Sequence, residues 1–101
     1  MKDIRKEIIK VLSDVRRRQG FTYEELGKRL GVTPQSASTI VSRLTKGSQT
    51  QVKIESIERY AEALDVDIIY TARLLFPDGT EQTVTGIIPR INQPQNNKRK
   101  P

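Results

Sequence analysis

The chain contains no cysteine, no histidine and no tryptophan, and its aromatic residues are three tyrosines and two phenylalanines. Each absence removes a class of chemistry. Without thiols there is no disulfide framework and no thiolate metal site. Without imidazoles the commonest general base and the commonest metal ligand are both missing. No apolar run is long enough for a membrane span, and the charged, helix-like N-terminus does not read as a signal peptide. Paired carboxylates beside an apolar pocket are lacking, as is a glycine-rich phosphate loop. Asp65 and Asp67 lie close together, but at a helix-to-strand junction where turn formation accounts for them. Enzymes are therefore the poorest class of function, and no cofactor or metal is expected. At 101 residues and 35% hydrophobic content, the expectation is one compact, soluble, cytoplasmic domain with a modest core that a partner chain could extend.

What is present is positive charge, unevenly spread. The formal net charge is +6. Residues 1–47 carry eleven Lys or Arg against five acids, residues 48–88 carry three against seven, and residues 89–101 carry four and no acid. The cations thus collect at the two ends of the sequence, a pattern that suits a polyanion held by one end of the molecule and also an ordinary solvated surface.

Hydrophobic periodicity predicts four helices. In residues 3–19, Ile4, Ile8, Val11 or Leu12, and Val15 recur at three- and four-residue spacing, with Asp3 at the positive end of the helix dipole and Arg16, Arg17 and Arg18 at the negative end. The arginine triplet suits that end electrostatically and suits a phosphate contact equally well. Thr22 and Glu25 form a capping box for a second helix reaching Leu30. Gly31 marks a tight turn, Gly27 a close approach, and Thr33-Pro34 the start of a third helix reaching about Leu44. This third helix is rich in Ser and Thr, weak helix formers whose place on an exposed face is explained by hydrogen bonding to bases or phosphates. After a polar loop over residues 46–51, a fourth helix spans about Ile54 to Leu64, with Ile54, Ile57, Tyr60 or Ala61, and Leu64 inward.

Beyond Asp65 the pattern becomes β-like. Ile68, Tyr70, Ala72, Leu74 and Phe76 alternate with Ile69, Thr71, Arg73 and Leu75; Pro77-Asp78-Gly79 signals a turn; and residues 80–88 return as a second strand. An isolated hairpin is marginal in water, so a covering partner is expected for its apolar residues. The last stretch, PRINQPQNNKRKP, reads as a disordered basic tail that is either inert or adds nonspecific affinity for phosphate.

The run Leu26-Gly27-Lys28-Arg29-Leu30-Gly31-Val32-Thr33, followed by Ser38 and Ile40, resembles the Cro and lambda-repressor-like helix-turn-helix family, also called the XRE family. Residues 54–66, with Ala61, Ala63, Leu64 and Val66, look like the helix that follows in that family. The resemblance covers residues 4–66. It implies a mainly α fold, a lambda-repressor-like bundle of about four helices, here followed by a C-terminal β-hairpin of two antiparallel strands. The expected organisation is residues 1–66 for the helix-turn-helix domain, 67–88 for the hairpin and 89–101 for the tail. Tyr23 departs from the family's frequent Gln, Ala37 from a larger residue, and the stretch from Ile40 to Lys46 predicts a recognition helix about one turn longer than usual.

By the same resemblance, base contacts fall to Gln35, Ser36, Ser38, Thr39 and Arg43 on the recognition helix. Gln can pair with adenine in a bidentate way, Arg with guanine, and the Thr methyl with a thymine methyl. Arg17, Thr22, Lys28, Arg29, Thr33 and Lys46 are the expected phosphate contacts, which position the protein without specifying sequence. Tyr70, Leu74, Phe76, Val84 and Ile87 are the expected dimer interface. The function implied is a dimeric, sequence-specific binder of double-stranded DNA on a palindromic operator, acting as a transcriptional repressor of bacterial, phage or plasmid origin. The alternatives are an antitoxin, whose hairpin would cover a toxin protein, and an accessory protein of a plasmid or mobile element.

Overall fold

A computed structural model describes residues 3–46 and 52–89. Four helices, α1 (Ile4–Gln19), α2 (Tyr23–Leu30), α3 (Pro34–Lys46) and α4 (Ile54–Ala63), precede two strands, β1 (Tyr70–Leu75) and β2 (Glu81–Gly86). This is the mainly α fold with a C-terminal hairpin that the residue pattern predicts. The described residues fall into two compact units divided after Asp67. Residues 47–51 of the polar loop and 90–101 of the basic tail lie outside the described residues.

The helix ends are fixed by local chemistry. Asp3 caps α1, its carboxylate accepting the Arg5 backbone N–H at 3.0 Å. Thr22 Oγ1 accepts the Glu25 N–H at 3.1 Å at the start of α2. Gly20 and Gly31 end α1 and α2 in the left-handed region, with φ of 71° and 75°, where a side chain would be strained. Asp65 takes a φ of 61° just past α4. α3 extends through Lys46, two residues past the expected end at about Leu44.

In the helical unit α2 packs on α3, and α4 closes against α1 and α2. Leu26, Ala37 and Ile57 lose all exposed surface, and Leu12, Tyr60, Ala61 and Leu64 nearly all. Full burial of each large aliphatic side chain contributes about 1.5–3 kcal/mol.

The inward face of α1 matches periodicity in part: Leu12 is buried and Ile8 and Val15 are half-buried. Ile4 and Val11 are each 58% exposed, whereas Ile9 and Ser13 are buried. An apolar count overlooks the polar anchor on this face. Ser13 Oγ lies 3.3 Å from the Tyr60 hydroxyl inside the core, so a satisfied hydroxyl sits on the inward face beside Ile9. Arg5, on the same side, donates to the Val52 carbonyl at 2.8 Å.

β1 and β2 pair antiparallel with Tyr70 opposite Gly86, Ala72 opposite Val84 and Leu74 opposite Gln82. The turn closes through Phe76 N–H to Thr80 O at 2.9 Å, while Asp78 Oδ1 accepts the Thr80 N–H at 2.9 Å. One face of the hairpin therefore carries Tyr70, Ala72, Leu74 and Val84, and Phe76 continues it. The other carries Thr71, Arg73, Leu75, Thr83 and Thr85, with an Arg73–Glu81 ion pair and a Thr71–Thr85 hydroxyl contact.

Candidate nucleic-acid interface

The α2–turn–α3 unit is held by backbone contact. Val32 N–H donates to Gly27 O at 2.8 Å. A Cβ on Gly27 would stand 2.7 Å from the Val32 carbonyl oxygen, so only glycine leaves room for the turn at this spacing. Thr33 then caps α3, its Oγ1 accepting the Ser36 N–H at 3.0 Å.

α3 buries Ala37, Val41 and Leu44, and the helical period leaves the opposite side to Gln35, Thr39, Ser42 and Lys46. Gln35, Ser36, Thr39 and Arg43 are exposed, and Ser38 is half-buried. The Gln35 side-chain amide has no partner among the described residues, so both its donor and its acceptor are available for a base edge. Thr33 Oγ1 donates to Ser36 Oγ at 3.0 Å, so the Ser36 oxygen accepts here and its own proton is not used in that bond. Thr39 Oγ1 donates back to the Gln35 carbonyl at 3.1 Å; its proton is committed, and its methyl and a lone pair remain. Between Glu25 and Glu55 the sequence holds no acid at all, so nothing on α3 repels a polyanion.

The expected phosphate residues divide into two groups. Lys28 and Lys46 are exposed and make no ion pair among the described residues. Thr22 and Thr33 act as caps, which leaves each hydroxyl at the first turn of its helix. Arg17 is exposed and pairs with Asp14.

Arg29 is placed differently from expectation. Its guanidinium stacks on the Phe21 ring at 4.4 Å, donates to Ala63 O at 3.0 Å and to Asp65 Oδ2 at 2.9 Å, and lies 3.4 Å from Glu25. The hydrogen bond to Asp65 holds it protonated above its usual range. It clamps α2 to the end of α4. Arg5 and Arg59 likewise donate to distant carbonyls, Val52 at 2.8 Å and Leu30 at 2.9 Å. Arg16, from the triplet, lies over Tyr23 at 5.0 Å and donates to Phe21 O. These internal roles escaped the sequence reading because the partners are backbone oxygens or rings that no local spacing reveals. The hairpin also differs in one place: Ile87 lies beyond β2, and the period of two puts it on the side of Thr83 and Thr85, away from Val84.

A family profile for the helix-turn-helix matches residues 12–70, over half of the chain and the whole of α2, α3 and α4. The chain belongs to the helix-turn-helix family. Within that family it is of the XRE type, and the Cro and lambda-repressor-like resemblance of its motif stands. In general terms a helix-turn-helix protein of this type is a DNA-binding transcription regulator, a class that is typically non-enzymatic. No curated protein and no solved structure matches the chain. Among the described residues no helix is long and apolar enough to cross a membrane.

Proposed function

We propose that the protein reads a specific double-stranded DNA site with the exposed side of α3 and represses transcription by occupying a promoter as a homodimer. The observation that carries this reading is the α3 surface: Gln35, exposed and with no partner for its amide among the described residues, Ser36, Thr39 and Arg43 beside it, and no acid in the surrounding sequence. Gln35 and Ser36 occupy the first turn of α3, the part of a recognition helix that enters the major groove. Ser38 and Arg43 extend the base-facing set. Lys28, Lys46, Arg17 and Thr22 position the backbone; the Thr33 hydroxyl proton goes to Ser36, and Arg29 supports the fold instead.

The twofold partner is proposed to meet the hairpin face formed by Tyr70, Leu74, Phe76 and Val84. No charged residue lies on that face, so two copies meet there without like-charge repulsion. Leu74, Phe76 and Val84 are each more than two-fifths exposed, and a two-stranded hairpin alone is marginal. A dyad would set two half-sites about 34 Å apart, one turn of DNA. Binding of operator and mixed-sequence duplexes by fluorescence anisotropy tests the reading. Gln35→Ala should weaken the operator complex and spare the nonspecific one, whereas equal losses would remove Gln35 from base reading.

A further inference from the structure

We propose that the cleft between α1 and the C-terminal half of α3 is a second phosphate-gripping surface, which holds the DNA backbone beside the groove that α3 reads. The inference rests on the DNA-binding reading above and adds a surface outside the helix-turn-helix itself. The cleft measures about 470 Å³ and is lined by Lys6, Lys10 and Arg17 from α1 and by Leu44 and Thr45 from α3. Glu7 is the one acid among its lining residues.

Three features favour phosphate. Residues 6, 10 and 17 share one side of a helix, so their cations form a single row about 16 Å long at 1.5 Å per residue. Neither Lys6 nor Lys10 has an ion-pair partner among the described residues, and Arg17 holds only the exposed Asp14, a pairing that phosphate can displace. The α3 wall of the cleft contributes no negative charge. Thr45 Oγ1 is turned back to the Val41 carbonyl at 3.0 Å, so the row of cations supplies the donors. Thr45 also lies two helical turns from Ser38, and the cleft therefore opens on the same flank of α3 as a base-facing residue. The apolar residues of the lining, Ile9 and Leu44, are almost fully buried and offer an acidic peptide little anchorage, whereas an evenly charged backbone running along the groove suits the row of cations.

The test is the salt dependence of full-chain binding to a mixed-sequence duplex. Replacing both Lys6 and Lys10 by Gln should flatten the slope of log K against log salt by about 1.8, the loss expected for two phosphate contacts. Lys6→Arg with Lys10→Arg should retain the slope. Lys53→Gln with Arg73→Gln removes the same charge from residues outside the cleft and should leave it unchanged. Circular dichroism establishes that each variant is folded. An unaltered slope in the double Gln variant, or an equal fall in the Lys53→Gln, Arg73→Gln control, overturns the inference while leaving DNA binding intact. A wild-type chain that binds no duplex at low salt overturns the DNA reading and this inference together.

Discussion

At the scale of single residues, the exposed amide of Gln35 gives the sharpest prediction. A bidentate pair with adenine is worth about 1–3 kcal/mol of discrimination, so Gln35→Ala should narrow the gap between operator and mixed-sequence affinity by roughly five- to two-hundredfold. Titrations on the two duplexes measure that gap directly. Gly27 makes a claim about packing. Its missing Cβ would stand 2.7 Å from a carbonyl oxygen, and forcing it in should cost about 1–3 kcal/mol, seen as a lower melting temperature for Gly27→Ala. Arg29 separates structure from recognition. Arg29→Leu should lower stability because Asp65, Ala63 O and Phe21 lose their partner, yet leave the salt slope of nonspecific binding as it was. A reduced slope in a folded Arg29→Leu protein would return Arg29 to the phosphate set.

At the scale of elements, the N-terminus of α1 carries a pH dependence whose sign is fixed. Hydrogen bonds from the Arg5 side chain, then from its backbone N–H, hold the Asp3 carboxyl below its ordinary value of 3.8. A lowered folded-state pKa stabilises the fold above the ordinary value and loses that contribution as pH falls through the lowered one. The melting temperature should thus drop on acidification from about pH 5 to about pH 3, and drop less in Asp3→Asn, which keeps a capping oxygen without the titration. The elements were legible in the sequence wherever one residue carries a local signal: Thr22 and Thr33 as caps, Gly31 as the turn between α2 and α3, Pro77-Asp78-Gly79 as the hairpin turn. The inward face of α1 was legible only in part. A serine faces the core there because Tyr60, 47 residues away, supplies its partner, and periodicity of apolar residues says nothing about a buried hydroxyl pair. The same limit hid the Arg29 clamp. A cation in a basic run reads as surface charge until the fold brings Asp65 and a helix-end carbonyl to it. Of the base-facing candidates, Gln35, Ser36, Thr39 and Arg43 lie exposed on α3, because one amphipathic helix fixes its outer side from its own sequence.

At the scale of the whole molecule, the central claims are assembly and recognition. Leu74→Lys with Val84→Lys places charge on the proposed twofold face of the hairpin. Sedimentation of the full chain should then shift from dimer to monomer, and operator affinity should fall steeply because two half-sites no longer act together. A variant that remains dimeric would move the interface elsewhere. Recognition itself is tested most directly by selecting bound duplexes from a random pool with the wild-type chain and with Gln35→Ala in parallel. The expected result is an inverted pair of half-sites about one helical turn apart, with preference relaxed at one matching position of each half-site in the variant. Enrichment of no motif by the wild-type chain, or of an identical motif by both proteins, would contradict the claim that the exposed side of α3 reads DNA.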